Sequence, residues 1–385
     1  MSAQKVYLLR SNDLNNEGTG VKVPVPENLG YGELAMNYRN GKEVLVIKND
    51  NDEIATFSSD NVYNDIISGL LEQINSLNDK IDNLSYDLRK HDFLRFNIES
   101  DGVIPFEVAS GNEIYYKKNG GNWTLADSNI SVLANDVIVF KGDNESLASN
   151  KLFTNVTCRY SVEGNIMSLI DSEYFAEKNT INEPGMFYGL FDSSTGLTSA
   201  KNLILPAVQL RDECYCNMFK GCTSLVEAPS ILPATILAQN CYTMMFYGCT
   251  SLTTAPSILP ATTLAEDCYS LMFYGCTSLT TAPELPATTL AEFCYENMFC
   301  NCTSLTKAPE LPATTLAQYC YQGMFNGCTS LNYIKCLATD ISAESCTRDW
   351  VYGVAASGTF VKAPSMTDWT TGANGIPNNW TVENA

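Results

Sequence analysis

One five-residue phrase limits what this chain can fold into. Gly-Cys-Thr-Ser-Leu stands at 221–225, 248–252, 275–279 and 327–331, and Asn-Cys-Thr-Ser-Leu at 301–305. The intervals are 27, 27, 26 and 26 residues. Between phrases run a Leu-Pro-Ala, a Cys-Tyr pair and a Met-Phe pair. A fixed period of this length marks a solenoid, because one such unit cannot bury its apolar face except against its neighbours. The rest of the chain then reads as base or end-piece of a stacked array.

Within a unit, Leu264, Cys268, Met272 and Cys276 recur every fourth residue, a spacing that predicts one helical face. Thr263/Glu266, Thr289/Glu292 and Thr315/Gln318 have capping-box spacing. Gly221, Gly248, Gly275, Asn301 and Gly327 would end each helix in the left-handed conformation that only Gly and Asn adopt readily. Ser278–Ala282 reads as a short strand ended by Pro283 and Pro286. The expected unit is strand, turn and helix, with a parallel sheet along one side of an α/β solenoid over 181–345. Met186–Leu197, followed by Leu205-Pro-Ala207, reads as a degenerate first unit. Residues 346–385, with Trp350, Trp369 and Trp380, read as a C-terminal cap.

Of the 15 cysteines, all but Cys158 lie in or at the end of the array, most in phase (Cys241/Cys249, Cys268/Cys276, Cys294/Cys302, Cys320/Cys328). Without a Cys-x-x-Cys spacing they read as a ladder of small buried residues, and neither metal nor cofactor is expected. The formal charge of −20 argues against nucleic acid and anionic membranes. A single histidine, His91, leaves little for His-based catalysis. No signal peptide and no 18-residue apolar run is read in the sequence.

Upstream, 1–60 reads as a β-rich segment: Tyr31–Tyr38, an Asn40-Gly41 turn, Val44–Lys48 and Ile54–Phe57. Over 61–98, Ile67, Leu70, Ile74, Leu77, Ile81, Leu84 and Leu88 alternate at spacings of three and four, the heptad of a parallel coiled-coil stalk. Residues 99–180 read as a small β-sandwich, from Glu113–Lys118, Asn119-Gly-Gly121, Asn122–Leu125, Asp136–Phe140 and a strand over 152–162.

Gly32-Glu-Leu-Ala-Met-Asn37, Gly41-Lys42 and the Val44–Lys48 strand resemble the N-terminal module of bacteriophage fibre proteins. That resemblance implies attachment to capsid or tail proteins through 1–60, a virion location and a homotrimer. Ile at a with Leu at d leans instead to a dimer. Cys268-Tyr269, Met272-Phe273, Gly275–Leu279 and Leu285-Pro-Ala287, with their equivalents, resemble BspA-like leucine-rich repeats. That family implies adhesion to a host-surface protein or glycan without catalysis. The function expected is therefore a virion structural fibre, on head or tail, presenting a repeat tip. A bacterial cell-surface BspA-like adhesin is the alternative, and a glycan-cleaving tailspike a third reading. Positions that change between units are free to face outward. They are Lys220, Tyr247, Tyr274, Cys300 and Asn326 before the Gly or Asn, and Glu227, Thr254, Thr281, Lys307 and Tyr333 after the Leu. Tyr247, Tyr274, Tyr333 and Lys307 are the candidate ligand contacts.

Overall fold

The computed structural model describes strands at 6–9, 34–37, 44–48 and 54–58, then residues 70, 73, 76, 80, 84, 86–106, 111–147 and 152–385. The chain divides into two compact units, Met1–Leu84 and Ser85–Ala385. In the first, β1 (Val6–Leu9), β2 (Leu34–Asn37), β3 (Val44–Lys48) and β4 (Ile54–Ser58) form one sheet in sequence order. β1 lies parallel to β2, and β2–β3 and β3–β4 are antiparallel, with Asn37 opposite Val44. The Asn40-Gly41 turn itself lies outside the described residues.

Residues 70, 73, 76, 80, 84 and 86–89 are helical, so the heptad spacing did identify a helix. The coiled-coil stalk is not seen. Ile67, Ile74, Leu77 and Ile81 lie outside the described residues. Leu70, Leu84 and Leu88 are 48%, 65% and 71% exposed, with no second helix over them among the described residues. A heptad seam is a property of two helices, and one helix with bare leucines does not make it. The helix ends at Arg89, short of the expected 98, and His91 is exposed beyond it.

The second unit opens with a six-stranded sheet. Its strands are β5 (Arg95–Ile98), β7 (Ile114–Lys118), β8 (Thr124–Leu125), β10 (Val137–Gly142), β11 (Tyr160–Asn165) and β12 (Leu197–Ile204), in the order β12-β11-β5-β10-β7-β8. β6 (Gly102–Ile104) and β9 (Ile130–Val132) pair separately, and Ile104, Ile130 and Val132 join the core of Phe96, Phe140 and Phe153. The β7–β8 turn falls at Asn119 and Gly120, both left-handed. The strand expected over 152–162 begins only at Tyr160, after turns at 152–155. Nor is this region a free-standing β-sandwich. β11 pairs in parallel with β12, which is the strand of the first solenoid coil, so one sheet runs from base into array.

The solenoid contains no α-helix. Each expected helix is instead a ribbon of consecutive turns with left-handed residues every fourth position. Examples are Glu213, Asn217 and Gly221; Asn240, Met244 and Gly248; and Asp267, Leu271 and Gly275. One left-handed residue per turn is incompatible with an α-helix. Amide hydrogen bonds alternate. Cys214, Cys216, Met218, Lys220 and Cys222 donate back to the third preceding carbonyl, at 3.0–3.3 Å. Glu213, Tyr215, Asn217, Phe219 and Gly221 donate to the next coil, to the carbonyls of Gln239, Cys241, Thr243, Met245 and Tyr247, at 2.7–3.0 Å. Half the amides close the turns and half bind coil to coil, so no donor is stranded. The expected parallel sheet is present as isolated bridges such as Glu227 with Thr254. It becomes continuous only in β13 (Lys307–Leu311), β14 (Tyr333–Cys336), β15 (Thr359–Lys362) and β16 (Thr381–Asn384).

The four-residue turn period delivers the same two side chains inward from every turn. Phe191, Phe219, Phe246, Phe273, Phe299 and Phe325 form one column, with rings 5.3–5.8 Å apart and within 10° of parallel. Phe187, Tyr215, Tyr242, Tyr269, Tyr295, Tyr321, Trp350 and Trp369 form a second, at 5.5–6.2 Å. The thiols of Cys222, Cys249, Cys276, Cys302 and Cys328 donate to the carbonyls of Phe191, Phe219, Phe246, Phe273 and Phe299, at 3.0–3.2 Å. A small apolar residue with one weak donor suits that site. Residues 346–385 are further coils in register, with Tyr333 opposite Thr359 and Thr359 opposite Thr381. Their Ser345, Asp349 and Gly353 repeat the left-handed pattern without the phrase. Trp350 and Trp380 anchor them by indole bonds to the Gly375 and Ala355 carbonyls, both 2.8 Å.

Candidate ligand-binding surface

The identical Phe, Tyr, Met, Cys and Leu residues of each unit turn inward, and the positions that differ are exposed or half-buried except Cys300, which is buried against the outward expectation. Those after the phrase Leu fall on one row across the ladder: Ser199 bridges Glu227, Glu227 bridges Thr254, Lys307 pairs with Tyr333, and Tyr333 with Thr359. Those before the Gly or Asn fall on a second row, along the turn ribbon. The four candidate contacts are thus divided between two rows.

On the strand row, the Lys307 ammonium stands over the Tyr333 ring, 5.2 Å from its centroid. This pair borders a groove of about 930 Å³. Its walls are Thr280–Pro286 and Thr306–Glu310 with Pro312, and Tyr333 and Lys335 close one side. Lys335 pairs with Glu310 at 2.9 Å. The prolines hold both connectors extended and take no part in the ladder as donors, so the wall stays open.

On the ribbon row, Tyr247 and Tyr274 stack with centroids 4.7 Å apart and planes within 5°, and Lys220 stands 5.7 Å from the Tyr247 centroid. Asn301 donates to the Tyr274 hydroxyl at 3.2 Å, and the neighbouring Cys300 thiol raises that hydroxyl's pKa. Sequence reasoning missed the half-buried stack of Phe293 on Tyr319, 4.6 Å apart and coplanar, although both precede the Cys of a Cys-Tyr pair. It also missed Glu310 and Lys335. A register shift between Lys307 and Glu310 brings that pair together at 25 residues, one short of the repeat.

Comparison with protein-family models, curated proteins and solved structures returned no match. Trp123 packs edge-on against Phe93 at 5.4 Å, with Lys117 and Lys141 each 5.0 Å from its ring centroid. Among the described residues no three His, Cys, Asp or Glu side chains come together as a metal site, and no helix is long and apolar enough to cross a membrane. Burial pushes the Cys214, Cys294 and Cys336 thiols up to about 12, which keeps them protonated and unreactive.

Proposed function

We propose that this chain is a bacteriophage virion fibre protein, on head or tail, that fastens to the particle through residues 1–60 and adheres to the host surface through its solenoid. The observation that carries the reading is the division of labour within each coil. The repeated aromatic, Met, Cys and Leu side chains fill the interior columns, while the strand row carries Glu, Thr, Lys and Tyr in different coils and borders an open groove. A scaffold of that kind presents a surface and has no evident chemistry to perform. The resemblance of Gly32–Lys48 to a fibre attachment module supplies the virion half of the proposal. Assembly as a homotrimer would present several solenoids at once, so weak single contacts add through avidity. Mass spectrometry of purified particles tests the reading. The chain is expected in a fixed ratio to the major capsid protein, and its absence from particles would refute the proposal.

A further inference from the structure

We propose that the groove between the 280–286 and 306–312 connectors binds an oligosaccharide carrying one carboxylate per few sugar rings, with Lys307 as its ion partner and Tyr333 as its apolar platform. The inference rests on the adhesion reading of the same surface and specifies its ligand class.

The chemistry of the lining makes the choice. Four charged groups border the groove, Glu284, Lys307, Glu310 and Lys335. Lys335 is already neutralised by Glu310. Among the described residues Lys307 forms no ion pair, and its ammonium is held only by the face of Tyr333. One cation is thus available in a chain of net charge −20. The nearby Glu284 carboxylate and the net charge of −20 repel a densely charged polyanion, so nucleic acids and heavily sulfated chains are disfavoured. A ligand with a single isolated carboxylate meets Lys307 without that repulsion.

The remaining lining favours sugar over peptide. Thr280, Thr281 and Thr306 are exposed hydroxyls on the groove wall. They donate and accept, as sugar hydroxyls require. Protein-binding patches concentrate several aromatic and Arg anchors, whereas this groove has one tyrosine and no arginine. Its volume of about 930 Å³ lies at the upper end of the range for small-ligand sites, room for several rings.

Calorimetric titration of the full chain tests this. The probes are 3′-sialyllactose and glucuronosyl-xylobiose, each against its neutral parent, lactose and xylotriose, plus a blocked Gly-Ser-Glu-Ser-Gly peptide. At least one acidic sugar should bind, about tenfold tighter than its parent. Lys307→Gln should bring the acidic sugar down to the neutral level, and Lys307→Arg should restore it. Tyr333→Thr, the residue that occupies this row at Thr254 and Thr281, should weaken acidic and neutral sugars alike. Failure of both acidic sugars to bind, equal binding of the neutral parents, or equal binding of the peptide would overturn the proposal. If the Lys307→Gln chain adsorbs to host cells like the wild type, the proposal is overturned and adhesion stands. Absence of the chain from particles refutes the virion reading alone, and the sugar titration still decides this one.

Discussion

Asp267 occupies a left-handed position of the turn ribbon, half-buried, with Glu296, Glu266 and Glu292 near it. Burial first, and these carboxylates second, raise its pKa from 3.8 to about 6. An acid that holds its proton more tightly when folded stabilises the fold fully below its unfolded pKa, and that contribution is lost as pH rises through about 6. Asn240 stands at the equivalent left-handed position, so Asn fits there without strain. Asp267→Asn should raise Tm by a few degrees at pH 7.5 and leave it nearly unchanged at pH 3.5. An equal gain at both pH values would show that charge is not the cause. The buried tyrosines make a second contrast. The Tyr160 hydroxyl is hydrogen-bonded to Ser194 at 2.7 Å, whereas the Tyr242 hydroxyl is buried without a side-chain or backbone partner. Tyr160→Phe strands Ser194 and should cost about 1–2 kcal/mol in urea unfolding, and Tyr242→Phe should be neutral or stabilising. The reverse order would contradict this assignment of hydrogen bonds.

The turn ribbon is the element on which the array depends, and glycine at its third left-handed position is testable. A Cβ on Gly248 would meet nothing within 4 Å, so Gly248→Ala carries only backbone strain, about 1–2 kcal/mol. A Cβ on Gly327 would run into Asn301 Oδ1, so Gly327→Ala should cost more. Equal losses in chemical denaturation would mean that the Asn301 side chain swings aside without cost. The left-handed Gly and Asn positions were legible in the sequence, because few residues tolerate that conformation. So were the first degenerate coil at Gly185, Gly189 and Ser193 and the β7–β8 turn. The helix was a misreading of period. Cys268, Met272 and Cys276 repeat every 4.0 residues, and so do Tyr269 and Phe273. A helix turning every 3.6 residues would rotate such a pattern by about 40° per turn and carry it off the buried face. Only a four-residue turn unit keeps both columns inside. The last coils were illegible for another reason: Trp350 and Val351 replace Met and Phe, and the phrase is gone, while the left-handed spacing persists. The contact pairs were half legible. Variation between units found Lys307 and Tyr333, but the register shift that brings Glu310 to Lys335 has no signature in the repeat.

Across the second unit, base and array are one structure. β12 belongs to both, and the Arg89 guanidinium at the helix end donates to Asn202 within it. The ring columns then pass from Phe187 and Phe191 beside this sheet to Trp350 and Trp369 near the last coil. Residues 85–385 should therefore unfold in one transition by calorimetry, not coil by coil, and a separate early transition for the sheet of 95–165 would contradict the shared strand. In the proposed fibre, a base continuous with the tip keeps the outward rows at a fixed attitude, which binding of several copies requires. A cryo-EM map of the particle is the deciding measurement for the proposed fibre. Residues 1–60 are expected against capsid or tail proteins, with stacked coils and the Lys307–Tyr333 groove open to solvent at the outer end. A map in which the solenoid is packed against the particle, with that groove covered by a virion protein, would contradict it.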